Sequence, residues 1–172
     1  FFAAGPEPPA RSPHWFPPLA ILIDLVRHAR RAPAPPAGLV LWIGRRVWPM
    51  PHALAALPGE QLPGEQLPGE QAPEESLLDR SVFIDADARA DRVWAIDLAL
   101  RSPGVRAIIA DAEGLTMPES RRLQLAAQCH GVLALLARPP WEERELSSAR
   151  TRWRGAPHSP PGPRVPFPEP AW

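Results

Sequence analysis

The chain contains no lysine: all 19 of its Lys and Arg side chains are arginine. This reads as the mark of a GC-rich genome, and it excludes any chemistry that needs a lysine amine. Cysteine is almost missing too. The single Cys129 rules out an internal disulfide and suits a reducing cytosol, so a cytoplasmic protein is expected. No apolar run approaches the ~20 residues that cross a bilayer. The longest, Leu19 to Val26, is broken by Asp24, and no membrane partner is expected. Excess charge is absent as well. The 19 basic side chains balance 19 acidic ones, which argues against a surface built wholly for polyanions. His14, His28, His52, His130 and His158 are scattered without zinc spacing, so no metal and no cofactor are expected. Cys129 and His130 are adjacent on a predicted helix, where their side chains diverge; Cys129 reads as core, with a Cys–His nucleophile as the remaining alternative. The chain opens on Phe1-Phe2 without Met or a signal-peptide pattern, as a fragment or cut product would.

Proline, by contrast, is abundant. The 26 prolines gather near the N-terminus, in a central repeat and in the final stretch. Such segments read as linkers or tails. The expected organisation is a Pro-rich N-terminus over 1–14, one α/β domain over 15–154, and a Pro-rich tail over 155–172. Inside the domain, three copies of Leu-Pro-Gly-Glu-Gln run from Leu57 to Gln71. Pro-Gly in each copy gives consecutive turns with no apolar face, as a slipped-repeat insertion in a surface loop would.

Between these segments the periodicity is regular. Trp15 to Arg31 predicts an amphipathic helix, with Pro17 and Pro18 in its first turn and Leu19, Leu22, Ile23 and Val26 as the apolar stripe. A Pro/Ala linker, Ala32 to Ala37, follows. Leu39 to Gly44 and Ser81 to Asp85 are short apolar runs, the pattern of strands buried on both faces. Ala88 to Ser102 predicts a helix with Val93, Ile96 and Leu100 inward, stopped by Pro103-Gly104. Val105 to Ala110 predicts a third strand, ending at Asp111. Thr116-Met117-Pro118-Glu119 is a capping box that opens a helix to about His130, closed by Gly131. Val132 to Ala137 predicts a fourth strand. Arg150-Thr151-Arg152-Trp153-Arg154 alternates with period two, as a strand with one solvated face does. Alternating elements of this kind predict a mostly parallel sheet with helices on both faces, a three-layer α/β fold.

On these residues the chain resembles a known group. Leu41-Trp42-Ile43-Gly44-Arg45, Trp94-Ala95-Ile96-Asp97-Leu98-Ala99-Leu100-Arg101, Arg101-Ser102-Pro103-Gly104-Val105 leading to Ile108-Ile109-Ala110-Asp111, the block Ser120-Arg121-Arg122-Leu123-Gln124-Leu125-Ala126-Ala127 and the closing Arg150-Thr151-Arg152-Trp153-Arg154 are similar to the ImuA family. The block around Arg121 and Arg122 is the most specific piece, and the similarity covers roughly Trp15 to Arg154. The resemblance implies a RecA-like fold with a degenerate P-loop NTPase core, in an accessory protein of the bacterial SOS response and translesion synthesis. It implies a Y-family polymerase-like partner, an error-prone replicative-type polymerase and RecA.

A working RecA-type ATPase needs a glycine-rich loop with a Lys before its first helix, a water-positioning carboxylate on the next strand, and an Asp that holds the magnesium shell. Ahead of the helix from Trp15 stands Gly5 to His14, which holds four prolines and Glu7 and no Lys. The water-positioning carboxylate would fall near Arg45 and Arg46, which carry the wrong charge. Asp85 and Asp87 look like that carboxylate but come one strand late; they read as a strand end and a helix cap. Asp111 alone sits where the magnesium-side Asp belongs, and it reads as a vestige or as a cap for the loop to Thr116. No catalytic residue is expected. Arg121, Arg122, Arg150, Arg152 and Arg154 are the candidate partner-binding or DNA-binding residues, since Arg forks phosphate well. The last three are expected on one face of a strand with Trp153 on the other. The competing reading is a solvated face paired to Glu142, Glu143 and Glu145. The expectation is therefore a non-catalytic adaptor. A RecA-fold DNA-binding protein without a polymerase partner, or an ATPase with an unusual phosphate site, stay open beside it.

Overall fold

Four short apolar runs, bounded by Gly, Pro and Asp, carry the strands. A computed structural model of the chain sets them side by side, and it describes residues 15–29, 38–55 and 76–155. The expectations for the N-terminal segment with its phosphate-loop position, the Pro/Ala linker, the repeat and the tail beyond Gly155 lie outside these residues. The strands are β1 (Leu39–Ile43), β2 (Ser81–Ile84), β3 (Val105–Asp111) and β4 (Leu133–Ala137). All pair in parallel, in the order β2-β1-β3-β4.

Side chains alternate across this sheet and so build two cores. Val40, Trp42, Ala107, Ile109 and Leu135 face one side, where they meet α1 (Leu19–Ala29) through Leu22, Ile23 and Val26, and α2 (Pro51–Ala55) through Leu54. Leu41, Ile43, Ile108 and Ala110 face the other. There Val93, Ile96 and Leu100 of α3 (Arg89–Arg101) and Leu123 and Ala126 of α4 (Met117–His130) cover them. The result is a three-layer α/β arrangement. Trp42 is fully buried, and its indole N–H donates to Ser81 Oγ at 3.0 Å, which removes the cost of an unmet polar group. Phe83, its register partner on β2, stacks beside it at 6.4 Å.

The ends of α4 follow the sequence closely. Thr116 N–H and Oγ1–H donate to Glu119 Oε2 at 2.9 and 2.7 Å, which is half of the capping box. Gly131 ends α4 with φ 65°, a conformation that costs glycine little.

Five expectations are corrected. Residues 150–154 form no strand; all five are exposed and pair with no strand among the described residues. β2 is not buried on both faces. It lies at the sheet edge among the described residues and is half-exposed. Asp87 does not cap α3: the cap position is Ala88, with no side-chain bond, while Asp87 gives its carbonyl to Arg92. Cys129 is not core. It is exposed in the last turn of α4, past the buried Leu123 and Ala126. Helix α1 is also shorter than its periodicity, starting at Leu19 once Pro18 has accepted the first helical bond from Leu22 N–H at 3.1 Å. Among the described residues, no helix is long and apolar enough to cross a membrane.

Candidate functional site

In a doubly wound sheet, ligands gather outside the carboxyl ends of the strands, where successive connections leave over opposite faces. Here that point lies between β1 and β3. The connection after β1 passes α2 on one face, and the connection after β3 is α4 on the other. The residues delivered there are Gly44-Arg45-Arg46 from β1 and Asp111-Ala112-Glu113 from β3.

Those residues lock onto one another. Arg46 Nη1 donates to Asp111 Oδ2 at 3.1 Å and also bonds Glu113 Oε2. The Asp111 side chain is only 4% exposed, and its second oxygen accepts Glu113 N–H at 3.1 Å. Arg92, at the start of α3, brings Nε to 3.9 Å from Asp111 Oδ2. Trp15, buried just ahead of α1, lies over the Arg46 guanidinium at 5.5 Å. Partial burial pulls the Arg46 pKa down, but the hydrogen bonds and charges of Glu113 and Asp111 outweigh it and the net shift is upward. Gly44 makes the fit: its φ is +88°, and a Cβ there would stand 3.1 Å from both Arg92 Cδ and Asp111 Cβ.

The same pairing extends along the carboxyl edge. Arg45 forks Asp85 with Nε–Oδ1 2.9 Å and Nη2–Oδ2 2.6 Å, which holds the Asp85 carboxyl below its ordinary range and raises Arg45. Arg89 joins Glu119, and Arg138 joins Glu142 at 2.7 Å. Each carboxylate in this row faces a guanidinium. A cation placed on Asp111 would compete with Arg46 for the same oxygen, so the donor set does not fit a metal. Among the described residues, no group of three or more His, Cys, Asp or Glu side chains could hold one. A cavity of about 80 Å³ opens at the opposite, amino edge between Val26, Val40, Arg106 and Leu133, away from this row.

The expected arginines are not gathered. Arg121 and Arg122 lie exposed on the second turn of α4. Arg121 donates to Gln124 Oε1 at 2.7 Å, and Arg122 faces Asp97 of α3 at 3.6 Å. Ser148 N–H donates to Ser120 Oγ at 2.9 Å, and Gly155 reaches Pro18. Residues 148–155 thus run from the head of α4 to the approach of α1. Along that path Arg152 donates to the Glu143 carbonyl at 2.6 Å, and Arg154 pairs with the Glu143 carboxylate at 3.2 Å. Arg150 is exposed and makes no ion pair among the described residues. Trp153 is 69% exposed, as solvated as the arginines around it.

Arg45 and Arg46, which stand out in the sequence only by their charge, are the partners of Asp85 and Asp111. Their position after a buried strand, level with Asp111 after another, was the available signal. Comparison with known proteins gives no match to any family model, curated protein or solved structure.

Proposed function

We propose that the chain is a RecA-like adaptor of the ImuA kind, which acts in the DNA-damage response through protein contacts and not through nucleotide chemistry. One observation carries the non-catalytic part. Asp111, the residue that the resemblance assigns to the magnesium shell, has one oxygen on Arg46 and the other on a backbone amide. Trp15 lies over Arg46 at the point where the chain enters α1, which is where a phosphate loop would end. Guanidinium, aromatic ring and carboxylate thus stand together at the strand ends where a nucleotide would bind, which supports this reading. A helix ahead of the first strand and a parallel sheet between two helical layers support the RecA-like assignment.

The partners follow from the resemblance: a Y-family polymerase-like protein, an error-prone replicative-type polymerase and RecA. Co-purification of the tagged full chain with each protein, expressed separately, tests this. Retention of the polymerase-like protein or RecA supports the adaptor, and loss of all three defeats it. A second reading, direct DNA binding, draws on the exposed Arg121, Arg150 and Trp153, a mixture of cations and a stacking ring. The carboxylates that already hold Arg122 and Arg154 weigh against it.

A further inference from the structure

Residues 147–155 touch the helical layers on both sides of the sheet. At one end Ser148 N–H donates to Ser120 Oγ at 2.9 Å, and Ser147 Oγ stands 3.3 Å from the same oxygen. Ser148 Oγ lies 3.7 Å from Met117 Sδ, at the first residue of α4. At the other end Gly155 reaches Pro18, just ahead of α1. Helix α4 covers one face of the sheet and α1 the other, so the segment passes around the sheet between them. It does so past the carboxyl ends of the strands. Met117 follows the end of β3, and Trp15, three residues before Pro18, lies over Arg46 at the end of β1.

Little is buried along the way. Every residue from Ala149 to Gly155 is exposed, Trp153 to 69%. Among the described residues, no backbone–backbone hydrogen bond involves residues 147–155. The middle of the segment is tied to Glu143, whose carbonyl accepts from Arg152 Nη2 at 2.6 Å and whose carboxylate pairs with Arg154 at 3.2 Å. Both side chains of that ion pair are largely exposed, and ion pairs of this kind hold weakly. A segment with few buried contacts opens far more readily than the packed sheet beside it. Its other anchor is different in kind. Ser120 is 4% exposed, whereas Arg121 and Arg122 next to it are exposed.

We infer that residues 147–155 form a strap that lifts as a unit from the folded domain, with Glu143 as its clasp, and that its opening bares the Ser120 hydroxyl at the head of α4. The strap gives the Ser120-Arg121-Arg122 run a covered and an uncovered state. Arg152 and Arg154 serve as clasp residues in it, not as a phosphate track. This goes beyond the adaptor reading and does not depend on it.

Thiol labelling with fluorescein maleimide tests the strap. Cys129 is the only cysteine of the chain and is exposed, so the parent protein gives the rate of an open thiol. The full chain with Ser120→Cys and Cys129→Ser carries its thiol beneath the strap instead. That thiol is expected to react at least about tenfold more slowly than Cys129. Adding Arg152→Gln and Arg154→Gln should speed the reaction about threefold, and salt at about 1 M should act in the same direction. Low urea should leave the rate nearly unchanged, because lifting the strap exposes little surface. Both arginines are exposed, so their replacement should not move the thermal melt. A rate equal to that of Cys129, a rate indifferent to the two arginines, or one that climbs with urea as steeply as global unfolding would each overturn the inference. Should Ser120→Cys fail to fold, tryptic cleavage after Arg150 in the parent sequence takes its place. Glu143→Gln is expected to hasten that cut about threefold, and equal rates in the two proteins would overturn the strap as well.

Discussion

Arg46 and Asp111 are 65 residues apart in sequence and meet at 3.1 Å because β1 and β3 run side by side with Ile43 opposite Ala110. The pair ties the two central strands together at their carboxyl ends.

Removing Arg46 leaves a buried carboxylate with a weaker partner in Arg92. Arg46→Met is expected to lower the unfolding free energy by about 1–3 kcal/mol. Adding Asp111→Asn should cost less than the sum of the two single changes, since both break the same contact. Urea denaturation of the four proteins checks this, and strictly additive losses would show that the pair is not coupled.

Gly44 is held at φ +88° with Arg92 and Asp111 pressed against the place of its missing side chain. Gly44→Ala is expected to destabilise by at least about 1–2 kcal/mol, from the left-handed backbone alone. A thermal melt unchanged from the parent would contradict the tight packing at the lock.

Glu119 titrates with the fold. Its partial burial raises the carboxyl pKa, but the hydrogen bonds from Thr116 and the charge of Arg89 outweigh this and hold it below its ordinary 4.5. A depressed carboxylate adds stability above pH 4.5, and that stability is lost as pH falls through the lower folded value. Glu119→Gln should therefore be less stable than the parent at neutral pH, by about 0.5–1 kcal/mol. The gap should close on acidification toward pH 3. Denaturation at the two pH values reads the difference, and a gap that widens in acid would reverse the assignment.

Much of this was legible from residues alone. β1, β3 and β4 show as apolar runs with sharp ends, and α4 is bracketed by the Thr116–Glu119 box and Gly131, both local signals. What failed was information that needs a partner. Period-two alternation at Arg150 to Arg154 makes a strand only when a strand edge receives it, and among the described residues none pairs with it. Whether an apolar run such as Ser81 to Ile84 is central or at an edge depends on sheet order, which connection lengths do not state. Cys129 sits three residues past the buried Ala126, so periodicity and residue type both point it inward; it is exposed because it falls in the last turn of α4. The arginine–carboxylate lock was invisible for the same reason: Arg46 and Asp111 become neighbours only through the pairing of β1 with β3.

A carboxyl edge whose carboxylates are held by Arg45, Arg46, Arg89 and Arg138 should take no nucleotide. Isothermal titration calorimetry of the full chain with ATP and magnesium is expected to give heats no larger than dilution across the titration. Saturable binding with a micromolar Kd would contradict it.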